Sequence, residues 1–359
     1  MMANATIKLP LHGGHAPSYL IDRMIKLSGA IVKVIVNEYG EHEFLKWLSD
    51  PLWFQAFGCV LGFDWHSSGN TTVVTGVLKQ TLTVEEHGIC IAGGKGKKST
   101  QTKNEIPALA EKYYNLSSNK IDSLLYASRM AAKVDNAAVQ DGYTLYHHVI
   151  LFDKNGGWSI VQQGMNAKDL TARRYHWISD FVKSFTCEPH AGIICNYKNL
   201  SSLNMSSINS KENQEVSLEL ATGSTDNLKS SVNKLILKKD YSLGMNSKLD
   251  KWMPKSNLSD TSGVIFEGYH ADEHYEMPRR LDWNLFRKIY DIQPKNYEQL
   301  ISIPGFGPAA VRALSLIGEI IFGSISYLSD AIEGAEIQRQ ERIQALKKLA
   351  AFSKRLFAD

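Results

Sequence analysis

Apolar residues recur at helical spacing soon after the start of the chain. Between Pro17 and Val36, Leu20, Met24, Leu27 and Ile31 fall on one face with a proline near the first turn, which predicts a helix. Ser49-Asp50-Pro51 predicts another helix start, because proline fits a first turn whose N–H has no partner. Trp53, Phe54 and Phe57 crowd together on that helix and are expected in the core. Further helices are predicted over Thr71 to Leu82, Ile121 to Val139 (capped by Ser118 or Asn119) and Ala172 to Phe185. Ile89 to Ala92 predicts a short buried strand. Tyr143 to Phe152 and Trp158 to Gln163 are apolar and β-prone, and the turn chemistry of Asp153-Lys154-Asn155-Gly156-Gly157 joins them in a hairpin. Helices alternating with strands imply an α/β (or α+β) domain over residues 1–196.

The pattern then changes. Asn, Ser and Lys dominate from Asn196 to about Gln214, and 240–262 is again polar, with a strand and a helix expected between Val216 and Leu237. The whole of 197–276 is expected to be a loop-rich connecting region. From about Leu281 the spacing is helical, which predicts an all-α domain over 277–359 that ends in an amphipathic helix, 335–357.

Composition narrows the function classes. A chain of 359 residues suits two domains, and 43% hydrophobic residues can bury real cores. The formal net charge is only +3, so any contact with nucleic acid has to be built locally. Cys59, Cys90, Cys187 and Cys195 form no CxxC pair, which argues against a zinc ribbon and suits a reducing cytoplasm. The first residues lack a signal-peptide layout and no apolar run is long enough for a bilayer, so a cytoplasmic protein without membrane contact is expected.

Residues 296–317 carry the firmest signal. A short helix is predicted to end near Ile303, Pro304-Gly305-Phe306-Gly307 to turn tightly, and a second helix to start at Pro308. This resembles the helix-hairpin-helix of DNA repair and recombination proteins. Gly305 and Gly307 let a phosphate approach the main chain, and the free amides of the second helix can bind an anionic oxygen without reading sequence. A basic residue is common in that motif where this chain has Ala309; Arg312, Lys295 and the Arg279-Arg280 pair are the candidates to supply charge instead. The alternative is a plain αα-hairpin with a glycine turn.

Polar clusters mark the first domain, which holds most of the eleven histidines. The candidates for catalysis are His15, His147, His148, Gln163 and Arg174. Two chemistries are open. Asp64, His66, Asp135 and Asp141 could hold Mg²⁺ or Mn²⁺ to activate water on a phosphodiester. Alternatively a histidine attacks phosphorus. His147, Asp153 and Gly164-Met165-Asn166 faintly resemble the signature of phospholipase D-like nucleases, although Val149 stands where lysine belongs. Gly93-Gly94-Lys95-Gly96-Lys97-Lys98-Ser99 lacks P-loop spacing, so no nucleotide cofactor is expected. Its Lys95, Lys97 and Lys98 are candidates to grip a phosphate backbone, or else form a solvated loop.

Together these segments resemble an archaeal and bacterial family, domain of unknown function 763. The match rests on Pro10-Leu-His-Gly-Gly-His-Ala-Pro17, Gly58-Cys-Val-Leu-Gly-Phe-Asp-Trp-His-Ser-Ser-Gly69, Ala92-Gly-Gly-Lys-Gly-Lys97, Val161-Gln-Gln-Gly-Met-Asn166, Ala172-Arg-Arg-Tyr-His-Trp177 and the hairpin. It departs after Gly323, where Ser324 to Asp330 replace a histidine- and glycine-bearing segment. The resemblance implies DNA binding and nuclease activity. A structure-selective, metal-dependent DNA nuclease is the resulting expectation. The alternatives are a non-catalytic DNA-binding scaffold and a base-excision glycosylase or lyase. The oligomeric state is open, a homodimer included.

Overall fold

A computed structural model describes residues 9–11, 16–63, 67–195, 202–235, 277–278, 280–324, 326, 328 and 330–332. The chain divides into two compact units, Met1–Ile208 with Ser329–Asp359, and Asn209–Leu328.

The first unit mixes helices and sheet. Helices α1 (Ser18–Tyr39), α2 (Glu41–Leu48), α3 (Pro51–Val60), α4 (Ser68–Thr81) and α5 (Val84–His87) precede strand β1 (Ile89–Lys95). Then come α6 (Thr102–Tyr114), α7 (Ser118–Lys133), a π turn over Val134–Ala138, and β2 (Val139–Gln140). Strands β3 (Thr144–Asp153), β4 (Trp158–Asn166), β5 (Thr171–Ile178), β6 (Gly192–Ile194) and β7 (Leu203–Asn204) follow. The main sheet is antiparallel in the order β1-β3-β4-β5-β6, and β2 pairs with β7.

Helices cover both faces of this sheet. On one, Val149, Leu151 and Val161 join Met24 and Val32 of α1, Phe44 of α2, Phe54 of α3, and Val74 and Leu78 of α4 in a single apolar core. On the other, α7 packs on β3 and β4, and Tyr114 of α6 meets Phe152 edge-on. Local chemistry sets the boundaries. The Asp50 carboxylate accepts the Leu52 and Trp53 N–H groups at 2.8 and 3.1 Å, and Pro51 opens α3 as expected. Asp153 Oδ1 accepts the Asn155 and Gly157 N–H groups at 2.8 and 3.0 Å and closes the β3–β4 hairpin.

Two expectations are corrected. Ala172 to Phe185 is not a helix: Thr171–Ile178 is a strand with every residue buried. A strand covered on both faces has no polar side, so the alternation that marks strands is missing from its sequence. The linker expected from Asn196 to Gln214 contains β7 and the start of a helix, and Ser202, Asn204, Ser206, Ser207 and Ser210 are buried. Small polar residues read as a loop, but here they bond one another: Asn204 Oδ1 accepts both the Ser206 N–H and its hydroxyl.

The second unit is helical among its described residues. Helix α8 (Lys211–Thr222) takes the place of the strand expected from Val216, and α9 (helical over 225–235) is the helix expected after it. Helices α10 (Trp283–Ile292), α11 (Tyr297–Ser302) and α12 (Pro308–Phe322) all contact α8. Leu285, Phe286, Ile289, Leu300, Phe306 and Leu314 are buried there. The expected loop at 240–262 and helix at 335–357 lie outside the described residues. Among those described, no helix is long and apolar enough to cross a membrane.

The Gly93-Gly94 pair owes its glycines to packing. Gly93 has φ +98°, and a Cβ there would lie 2.2 Å from the His148 carbonyl oxygen. Gly93→Ala is therefore expected to cost at least ~2 kcal/mol in urea unfolding. A loss below ~0.5 kcal/mol would contradict this account of the crossing.

Candidate functional site

The central strands turn polar at one and the same end of the sheet. Antiparallel register places Lys95 opposite His147, His147 opposite Gln163, and Gln163 opposite Arg174, a straight row across β1, β3, β4 and β5. The next row holds Gly94, His148, Gln162 and Tyr175. Successive side chains on a strand leave opposite faces, so the two rows serve opposite sides of the sheet.

The first row faces α4. The Thr71 hydroxyl donates to Gln163 Oε1, and Gln163 Nε2 donates to the Ser68 carbonyl at 2.9 Å and to the Tyr146 hydroxyl oxygen. The Thr75 hydroxyl gives its proton to the Thr71 carbonyl at 2.8 Å, so the 2.9 Å contact with His147 Nε2 has the ring N–H as donor. His147 Nδ1 then carries a bare lone pair, and it has no hydrogen-bond partner among the described residues although the residue is buried. Burial, with neighbouring His148 and Lys95, pushes His147 down to about 3, so the ring is neutral at neutral pH.

Arg174 is fully buried beside the same helix. Its Nε–H donates to His176 Nε2 at 2.8 Å, while the His176 Nδ1–H donates to the Leu48 carbonyl at 3.1 Å. The rest of the guanidinium makes only long contacts of 3.3–3.4 Å with Asn70, Thr71, Pro51 and Gln55. Its carbon sits 4.3 Å from the Phe54 ring centroid. No carboxylate of the described residues pairs with it, and burial lowers its pKa to about 9.

The second row is a closed network under α7. Ser128 donates to His148 Nε2 at 2.8 Å, and His148 Nδ1–H donates to Gln162 Oε1 at 2.7 Å. Gln162 Nε2 donates to Asp135 and to the Ala131 carbonyl. Trp177 Nε1 and His190 Nε2 also donate to Asp135, at 3.1 and 2.5 Å. Arg173 lies nearby between two buried carboxylates: Nη1 donates to Asp141 at 2.9 Å, and Nη1 and Nη2 donate to Asp330 at 2.9 and 2.7 Å. The Tyr175 hydroxyl adds a 2.6 Å bond to Asp141. Burial opposes the charge on Arg173, but the two carboxylates outweigh it and hold the guanidinium well above its ordinary pKa.

The structure thus brings His147, Gln163 and Arg174 together and sets His148 on the opposite face. Asp135 and Asp141 are taken up by protein donors and do not fit a metal centre. Among the described residues no group of three or more His, Cys, Asp or Glu is arranged to hold a metal. His15, Asp64 and His66 lie outside those residues. Lys133 is lowered by burial and by nearby Arg129, but Asp135 beside it in sequence is turned into the core. Lys95, Lys97 and Lys98 are exposed. Sequence reasoning missed Ser67, Thr71, Thr75 and Ser128; their only signal is the helical spacing of Ser67, Thr71 and Thr75 along one side of α4.

In the second unit, α11 and α12 are joined by the turn at Ile303–Gly307. Gly305 has φ +90°, and Ile303, Phe306 and Val311 are buried between the helices. Helix α12 starts at Pro308 with no capping side chain and no acidic residue in its first turn. Lys295 is exposed, Ala309 and Arg312 are half-buried, and Arg279 lies outside the described residues. The family model described as a protein of unknown function (DUF763) matches residues 5–335. The chain belongs to this family. The DUF763 match takes in both the polar row and the α11–α12 turn, as well as Asp330 in the segment after Gly323. Neither a curated protein nor a solved structure matches the chain.

Two outcomes follow for this DUF763 member. Asp330→Ala leaves Arg173 with one carboxylate and is expected to cost roughly 3 kcal/mol; a near-neutral result in urea unfolding would show that Asp141 alone suffices. The buried histidines also make the fold acid-labile. Burial lowers His147, His148 and His176 from 6.5, so below that pH the unfolded chain binds more protons than the folded one. Stability from these groups is full above pH 6.5 and is lost as pH falls, by about 1.4 kcal/mol per pH unit for each proton. His147→Gln should flatten that slope between pH 6.5 and 5, and an unchanged slope would mean that His147 does not contribute.

Proposed function

We propose that this protein binds the phosphate backbone of DNA through the α11–α12 turn and cleaves phosphodiesters at the polar end of the first unit's sheet. The observation that carries the reading is the turn itself. Pro304 and Gly305 are exposed, Phe306 anchors the loop from below, and the uncapped start of α12 offers main-chain N–H groups to an anion. Contacts of this kind favour DNA shape over sequence. At the sheet, the lone pair on His147 Nδ1 is the candidate proton acceptor and Arg174 the candidate partner for phosphate charge. A role for Mg²⁺ or Mn²⁺ would fall to Asp64 and His66, since Asp135 and Asp141 are occupied by protein donors. That same occupancy favours a second reading, a DNA-binding scaffold without chemistry.

Gly307 gives a clean test of binding. Its φ is −122°, and a Cβ there would meet nothing closer than the Gly305 oxygen at 3.9 Å. Gly307→Val should therefore fold normally and yet block a phosphate, lowering DNA affinity by about fivefold or more. Lys295→Ala should reduce the slope of log affinity against log salt by about one. Wild-type affinity in Gly307→Val at moderate salt would sink the proposal. Cleavage of branched, bubble and single-stranded DNA should be scored with Mg²⁺, Mn²⁺ or EDTA, alongside His147→Gln. Binding without cleavage in every condition would leave the scaffold reading.

A further inference from the structure

The start of α4 carries positive potential that no acidic side chain of its first turn offsets, although the Ser68 N–H donates to the Pro10 carbonyl at 3.0 Å. A helix N-terminus carries about half a positive charge, and acidic residues commonly sit in the first turn to offset it. Helix α4 runs for 14 residues and has none there. What lies against that turn is a second positive charge. Arg174 reaches Asn70 Oδ1 and Thr71 Oγ at 3.4 and 3.3 Å, on the first turns of α4. Both sources of positive potential are buried, where solvent screens them least.

A second, independent feature lies at the same point. Ser67 stands at the N-cap position of α4, where a serine hydroxyl ordinarily accepts an N–H of the first turn. It makes no such bond. Ser67 is only 3% exposed, and its hydroxyl has no hydrogen-bond partner among the described residues. The hydroxyl lies over the first turn, 3.3 Å from where a Cβ on Gly69 would be. A buried hydroxyl left unpaired costs free energy unless something else bonds it.

Arg173 supplies the internal contrast. It precedes Arg174 in β5, leaves the opposite face of the sheet, and holds two carboxylates at 2.9 Å or less. Arg174 is buried to the same degree with none among the described residues. A buried guanidinium, a helix N-terminus and an unpaired hydroxyl together are what a tetrahedral oxyanion requires. The two Nη groups would exchange their 3.3–3.4 Å contacts for two oxygens of the anion, and the hydroxyl would donate to a third.

We propose that Arg174, Ser67 and the N-terminal turn of α4 form a binding site for a phosphoryl group. This rests on the phosphodiester reading above and deepens it: the scissile or adjacent phosphate sits on Arg174, with Gln163 and then His147 next along the row. The same chemistry would also accept free inorganic phosphate, so the experiment needs both probes.

The full-length protein should be titrated calorimetrically with inorganic phosphate, against chloride at matched ionic strength, and with a short single-stranded oligonucleotide. Wild type is expected to bind phosphate. Ser67→Ala should weaken binding by roughly tenfold, and Arg174→Lys by more. If Arg174→Lys does not fold, Ser67→Ala decides alone, since that hydroxyl makes no bond to any described residue. Absence of phosphate binding by wild type at 10-millimolar order (roughly the weak limit for a charged contact) would overturn the site. So would equal affinity in wild type and Ser67→Ala. The hairpin variant Gly307→Val separates the two claims, because it should bind phosphate like wild type while losing affinity for long DNA. If wild type binds phosphate but not the oligonucleotide, the site stands with a free phosphoryl ligand and the DNA reading falls.

Discussion

Antiparallel register across β3, β4 and β5 is the constraint on which the first unit depends. Each strand is apolar through most of its length and polar at one end: His147-His148 at the start of β3, Gln162-Gln163 near the end of β4, Arg173-Arg174 at the start of β5. Hairpin connections reverse the chain at every step, so these ends meet in adjacent rows. Shifting any strand by one residue would exchange the two faces. Arg173 would then leave its carboxylates, and Gln162 would leave Asp135. Burying such groups without partners costs far more than the apolar contacts of one side chain return, so the polar end specifies the register as firmly as the apolar end does.

That constraint also explains the two kinds of polar cluster. Under α7 the donors from Ser128 through His148 and Gln162 to Asp135 each have an acceptor, and proton positions follow from one bond to the next. Such a network is rigid and has no capacity left for a ligand. Under α4 the bonding is incomplete. Among the described residues, His147 has a bare lone pair, Ser67 an idle hydroxyl, and Arg174 no counter-charge. Chemistry needs groups that are held in place yet not fully used, and the α4 face offers them.

Much of this was legible in the sequence where a single residue does one local job. Asp50-Pro51 announces α3, Asp153 to Gly157 the hairpin, and Pro304 to Gly307 the turn before α12. Residue type also singled out His147, Gln163 and Arg174 together, although their register was hidden. What stayed illegible depends on long-range burial. Thr171–Ile178 reads as a helix because neither face of β5 meets water. Asp135 and Asp141 look like metal ligands because carboxylates near histidines do. Only the fold shows that His190 and Trp177 fill the coordination of one and Arg173 and Tyr175 that of the other.

The segment after Gly323 contributes to the first unit at a distance in sequence. Asp330 lies within it, far from Arg173 in sequence, and makes a two-point contact with that guanidinium in the core of the first unit. With Asp141 on the other side, Arg173 is enclosed by charge and is a fixed part of the scaffold. Its neighbour in β5 shares its burial and lacks its partners. Two adjacent arginines of one strand, alike in chemistry and separated only by the pleat, thus divide the labour. One ties the sheet to the segment that holds Asp330, and the other keeps its charge unpaired by any described carboxylate beside the start of a helix. An uncommitted buried charge is costly to maintain in a structure that has carboxylates within reach elsewhere, and a bound anion is the simplest way for that cost to be offset.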